Sequence, residues 1–193
     1  MKKLSLLFLT CLFIISCKNQ ESNPAQLNTD SETFAENQDC LPYFDFDEVE
    51  YYFINIEENK VYNLYDIEDK TENETKLLSI LEDDTFSSIS DSTFIYDLEG
   101  IGYVKTKISD SDYFSLNQIF CFREHKDGEY AACIPIYRDI LIFKNLNKIT
   151  GMAKICFDCG QYHIVGSKEN TKDFGQSGDF GKLNTLLNKY RNK

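Results

Sequence analysis

Cys156-Phe157-Asp158-Cys159 places two thiols with two residues between them, and His163 and Cys133 flank the pair. Thiols at this spacing serve disulfide exchange or zinc binding. Exchange needs an activated thiolate, commonly one at a helix N-terminus or beside a cation. Here Gly160-Gln-Tyr-His-Ile-Val165 follows, which reads as strand, and Asp158 between the sulfurs opposes thiolate formation. Zinc needs four ligands in a tetrahedron. Cys156, Cys159 and His163 supply C-x2-C-x3-H, and Cys133 is a fourth if the chain from Tyr137 to Phe157 brings it alongside. Disulfides are the third chemistry. Five cysteines follow Cys17 (Cys40, Cys121, Cys133, Cys156 and Cys159), so at least one stays unpaired within a monomer. In an unbroken strand Cys156 and Cys159 would lie about 10 Å apart, three steps of about 3.3 Å, too far to bridge. Either Phe157-Asp158 turns tightly, or Cys133 reaches across to one of them.

Other reactive residue types are more sparsely set. Gly175-Gln-Ser-Gly178-Asp-Phe-Gly181-Lys182 invites a phosphate-loop reading but departs from G-x4-G-K-[ST] twice. Five residues separate Gly175 from Gly181, and Leu183 stands where a hydroxyl is required. A loop with a helix cap fits better, with Asp179 near the helix start. Only His125 and His163 could act as a general base. His125 sits in a charged turn, Arg-Glu-His-Lys-Asp-Gly, and no Gly-x-Ser-x-Gly elbow is present. Asp45, Asp47 and Glu50 lack the spacing of a calcium-binding loop and read as solvated acidic surface. No catalytic residue and no cofactor follow from these patterns.

The N-terminus carries a separate signal. Lys2 and Lys3 precede an apolar run from Leu4 to Ile15, then Ser16 and Cys17. The run is short for a membrane span, which takes about 20 residues, and suits an export signal. Ile14-Ile15-Ser16-Cys17 resembles the lipobox of bacterial lipoproteins. That resemblance implies removal of residues 1–16 and lipidation of Cys17, which anchors the chain to a membrane. Two or three acyl chains make release slow. Residues 17–38 are polar, with Leu27 and Phe34 the large apolar exceptions, and form a flexible tether reaching about 25 Å.

Residues 39–193 remain for one globular domain. Val49–Ile56 reads as a strand, with Lys60–Tyr65 as its partner in an acidic hairpin across Glu57-Glu58-Asn59. Thr71-Glu-Asn-Glu74 has capping-box form, and Leu77, Ile80 and Leu81 follow at helical spacing, so a helix spans 72–82. Ser87–Thr93 reads as polar loop. A further helix spans Ser111–Phe120, capped by Asp110 or Ser111, with Leu116, Ile119 and Phe120 inward. Asp139–Lys144 and Lys148–Phe157 form a hairpin around Asn145-Leu146-Asn147. Ile140, Leu141, Ile142 and Phe143 are apolar on both parities, so that strand is covered on both faces. Tyr162–Val165 extends the sheet. Leu183, Leu186, Leu187 and Tyr190 mark a C-terminal amphipathic helix. The expected fold is α+β, a mainly antiparallel sheet with two to three short helices and that terminal helix. Fifteen Phe and 12 Tyr agree with a sheet-rich core.

Charge narrows the functional classes. Without residues 1–16 the chain holds 18 basic and 32 acidic residues, net −14. Residues 17–100 carry −18 and residues 101–193 carry +4. Nucleic acid is disfavoured, since phosphate binding needs clustered Lys and Arg. An acidic half can steer a basic protein partner. Cys133-Ile-Pro-Ile-Tyr-Arg-Asp-Ile through Lys154-Ile-Cys-Phe-Asp-Cys-Gly160 resembles a segment of uncharacterised lipoproteins from Bacteroidota-type bacteria, a family that implies no activity. Lys18 after the lipidated cysteine implies, by the habit of such lipoproteins, the outer membrane of the cell envelope. The expectation is therefore a lipid-anchored, non-enzymatic binding or accessory domain, immunity-type in one version. The rival is a thiol-redox or zinc enzyme centred on Cys156, Cys159 and His163.

Overall fold

The computed structural model describes residues 40–82, 86–125 and 132–191. Residues 1–39 lie outside them, and with them the export signal, Cys17 and the tether. The strands are β1 (Leu41–Pro42), β2 (Glu48–Phe53), β3 (Val104–Lys107), β4 (Cys121–Phe122), β5 (Asp139–Asn145), β6 (Lys148–Cys156) and β7 (Gln161–Val165). The α-helices are α1 (Glu58–Tyr65), α2 (Glu72–Glu82), α3 (Tyr113–Ile119) and α4 (Asp179–Arg191). The fold is α+β, with every strand pair antiparallel. β3-β2-β5-β6-β7 form a five-stranded sheet, and β1 pairs with β4 apart from it.

The β5–β6 hairpin forms where the apolar runs predict it. Leu146 (φ 49°) and Asn147 (φ 63°) make the turn, the two positive φ angles that match the twist of a tight hairpin. Asn accepts that conformation readily and Leu does not. The Leu146 amide is held by Asp47 Oδ2 at 3.0 Å. Gly151 pairs with Phe143, and a Cβ there would lie 2.2 Å from the Phe44 ring. Phe44 stacks on Phe143 at 4.3 Å, so the glycine makes room for an aromatic lid over the hairpin.

Both faces of β5 are covered, as its double-parity apolar run requires. On one face Val49, Tyr51, Leu141, Phe143, Ala153 and Ile155 meet Leu116 and Ile119 of α3 and Leu183, Leu186 and Leu187 of α4. On the other, Tyr52, Ile140, Ile142 and Met152 meet Val61 of α1, Ile80 and Leu81 of α2, and Leu98 and Ile101 beyond them. Lys154 is also fully buried there, its ammonium 4.6 Å from the Tyr137 ring centre.

The expected acidic hairpin is a correction. Lys60–Tyr65 belongs to helix α1, and the strand before it ends at Phe53. β2 finds its partners in β3 and β5 instead. Val61, Leu64 and Tyr65 stand at helical spacing, and Val61 is buried against α2's layer. Residues 87–93 are likewise not plain loop. A 3-10 segment spans Ile89–Tyr96, and Asp91 Oδ2 accepts the amides of Ser87 and Ser88, each at 3.1 Å. The helix expected from Ser111 begins at Tyr113, after a 3-10 turn over Asp110–Asp112. Neither proposed residue caps it: Asp112, its N-cap, takes the Tyr190 hydroxyl at 2.6 Å and Lys189 at 2.9 Å.

Glu50 provides a test of how the sheet edge is held. It is 7% exposed and meets Lys105 and Lys144, each at 2.6 Å. Burial raises its carboxyl, but the hydrogen bonds from Lys105 and Lys144 outweigh that and hold it below its ordinary 4.5. A carboxyl depressed in the fold adds stability above its unfolded value and loses it as pH falls through the folded value. E50Q is therefore less stable than the wild type near neutrality, and the gap narrows as pH falls below 4.5. Urea midpoints of both proteins across that range measure it, and a gap independent of pH would refute it.

Candidate functional site

The cysteine cluster is built by the end of one strand and a returning loop. β6 ends at Cys156, the chain turns through Phe157–Gly160, and β7 opens at Gln161. Gly160 takes φ 60°, which the reversal requires. Residues 132–138 lie along this turn: Ile136 donates its amide to Cys156 Sγ at 3.4 Å, and Gln161 Nε2 donates to the Cys133 carbonyl at 2.6 Å. That places Cys133 and Cys159 in a disulfide, with Cα atoms 6.3 Å apart. Of the two arrangements left open by the sequence, Cys133 reaching across is the one formed. Cys40 and Cys121 form the second bridge, with Cα atoms 5.6 Å apart. Cys156 is the odd thiol, 1% exposed.

His163 does not join these sulfurs in a site. It pairs with Lys154 across the β6–β7 ladder, and its Nε2 lies 2.5 Å from the Phe86 carbonyl. A carbonyl only accepts, so Nε2 carries the proton and cannot also ligate a metal. The ring packs 5.0 Å from Phe86. Three side chains proposed to act together therefore have three separate duties: a bridge for Cys159, a backbone acceptor for Cys156, and an anchor to the loop before the 3-10 segment for His163. Among the described residues no group of three or more His, Cys, Asp or Glu is arranged to hold a metal ion. Of the carboxylates weighed for calcium, Asp45 meets Lys168, Asp47 takes the Leu146 amide, and Glu50 holds two lysines.

The glycine-rich stretch is the entry to α4, as its departures from a phosphate loop imply. Asp179 is 3% exposed, accepts the Gly175 amide at 3.0 Å and meets Arg123 at 3.5 Å. Ser177 of the same stretch meets a residue with which no motif associates it. His125 Nε2 lies 2.7 Å from Ser177 Oγ, across 52 residues of chain. No local spacing signals that contact, because it joins two loops from different elements.

A second concave region surrounds the end of α4. Two hollows of about 320 Å³ share Phe53 and Arg191. Tyr190 and Thr106 line one, and Arg138, Asp158 and Asn184 line the other. The Arg191 guanidinium lies over Phe53 and Phe157, 5.2 and 5.0 Å from the ring centres. It donates to Asp139 at 2.7 and 3.0 Å, and to Asn184 and Asn188 at 2.7 and 2.8 Å. Tyr51 donates its hydroxyl to the same Asp139 oxygen. Burial lifts the Asp139 carboxyl, and Arg191 and Tyr51 oppose that rise. With its donors so engaged, Arg191 serves as the lock between α4 and the sheet.

The charge asymmetry also becomes spatial. Lys105, Lys107, Arg123, Arg138, Lys144, Lys168, Lys189 and Arg191 each hold a carboxylate within the fold. Glu57 just before α1, Glu58 on it, and Asp66, Glu68 and Asp69 on the link to α2 are exposed and form no ion pair among the described residues. Tyr62 and Tyr65 stand among them, 47% and 46% exposed. Tyr62 donates to Glu58 at 2.6 Å, and Tyr65 donates to Glu82.

No protein-family model matches the chain, and neither the curated proteins nor the solved structures contain a match to it.

Proposed function

We propose that this chain is a lipid-anchored protein of the bacterial envelope, held through Cys17, whose acidic α1 face receives a basic protein partner. The observation that carries the reading is the division of charge. Eight basic residues of the second half are engaged by carboxylates of the same fold, and the acids around α1 and its following link are left facing solvent. Such a surface raises the encounter rate of a positively charged partner and weakens with salt. Tyr62 and Tyr65 add amphipathic contact area of the kind enriched at interfaces. The two disulfides support an oxidising compartment. An immunity-type role, covering a basic surface on a toxin, is one form of this function.

Two measurements test its two halves. The lipid anchor predicts acyl mass on the sulfur of Cys17, and membrane sedimentation that is lost in C17A. The binding face predicts a stoichiometric partner from detergent-solubilised envelope, retained at low salt and released at high salt. The combined variant D66K/E68K/D69K, all on exposed positions after the last turn of α1, should lose that partner while keeping its unfolding midpoint. Recovery of the same partner by this variant would rule out the acidic face.

A further inference from the structure

We propose that Ser177 and His125 form a nucleophile–base dyad able to hydrolyse short-chain acyl esters, an activity beyond the binding role and carried by different elements. The geometry is the starting point: His125 Nε2 stands 2.7 Å from Ser177 Oγ, the separation a general base needs to take a hydroxyl proton. Asp173 positions the pair from the backbone side. Its Oδ2 accepts the His125 amide at 3.4 Å, and its carbonyl accepts the Gln176 amide at 3.3 Å, so one residue ties both loops together.

Positive groups lie close to the serine. Ser177 stands two residues before α4, whose first amides have no intrahelical acceptor and form the positive end of the helix dipole. The nearby Asp179 carboxylate is already engaged by the Gly175 amide and Arg123. Lys182 brings its ammonium to 3.2 Å from the Ser177 carbonyl. Space beside the serine is open: Gly178 takes φ 74°, and a Cβ built on it would meet nothing within 4 Å. Both Ser177 and His125 are half-buried, within reach of a small ester from solvent.

The chemistry closes with water as the second reactant. His125 Nε2 takes the Ser177 proton as Oγ bonds to the ester carbonyl carbon. The bond to the alkoxide then breaks, and Nε2 returns that proton to the departing alcohol. Water adds to the acyl-serine, giving its proton to Nε2. The Oγ–acyl bond breaks, Oγ regains a proton from Nε2, and the carboxylic acid leaves. Asp173 holds the histidine through its amide rather than its ring, so the pair works as a dyad.

The test uses the full mature protein in detergent micelles with a fluorophosphonate probe and p-nitrophenyl acetate. The expected result is an adduct on Ser177 located by peptide mass, and a burst of p-nitrophenolate release that S177A lacks. H125Q should slow labelling by at least about 100-fold, the lower range for loss of a general base. Unfolding midpoints of both variants separate chemistry from folding. Absence of an adduct on wild-type Ser177 overturns the proposal without any variant. Labelling at an unchanged rate in folded H125Q overturns it as well, leaving the contact as a structural hydrogen bond. Neither outcome bears on the acidic face, whose partner is measured separately.

Discussion

Replacing Cys40 and Cys121 together by serine should lower the unfolding free energy by about 4.5 kcal/mol, the chain-entropy value for a loop of this length. The bridge closes a separation of 81 residues, against 26 for Cys133–Cys159. The same relation gives about 3.5 kcal/mol for the shorter loop, so C40S/C121S should be the less stable of the two double variants. Local structure adds to the difference. β1 and β4 are two residues each, too short to hold together alone. Beyond that pair, the Tyr43 amide donates to the Phe120 carbonyl at 2.9 Å, and Phe44 covers Phe143 and Gly151. The bridge thus holds the first described segment over the aromatic core. Urea unfolding of both double variants against the oxidised wild type measures the effect. A larger loss in C133S/C159S would show that packing near the turn, not loop length, governs the ranking.

Arg191→Ala should cost about 3–5 kcal/mol, the range for removing one partner of a buried ion pair. The loss leaves Asp139, 3% exposed, with the Tyr51 hydroxyl as its remaining strong donor from this cluster. It also removes the cation that lies over Phe53 and Phe157 and the links to Asn184 and Asn188. D139A should cost less, because Arg191 keeps its asparagine partners and its side chain is 17% exposed. The two changes are coupled, so R191A/D139A should lose less than the sum of the singles, by about 0.5–3 kcal/mol. A purely additive cycle would show that Arg191 and Asp139 act independently of each other. Native-state hydrogen exchange gives a second readout. In R191A the protection of α4 amides should fall more than that of β5.

The aromatic and aliphatic patterning made much of this architecture legible. The runs Asp139–Lys144 and Lys148–Phe157 announce a hairpin, Ile140–Phe143 a strand covered on both faces, and Thr71 with Glu74 the start of α2. The Lys60–Tyr65 segment shows where such reading slips. Its apolar residues are few enough to suit strand or helix, and the strand before it needs a partner. That place is taken by β3 and β5, whose paired residues lie 51–57 and 86–96 positions away, and Val61 turns to the helical layer instead. The candidate site divides in the same way. The cysteine spacing drew attention to Cys156 and Cys159 as a pair, yet the turn after β6 sends them to different partners.

What the residues decide by themselves is local: the period of each element, the capping pattern at Thr71 and Glu74, the turn-rich break at residues 145–147, and the acidic bias of the first half. These follow from interactions between neighbours a few positions apart, whose geometry does not depend on the rest of the chain. Cys40 meeting Cys121, Arg191 closing on Asp139, and His125 reaching Ser177 were decided only by the tertiary structure. Each joins residues more than 50 positions apart, and which of many such pairings forms depends on how the two helical layers settle on the sheet.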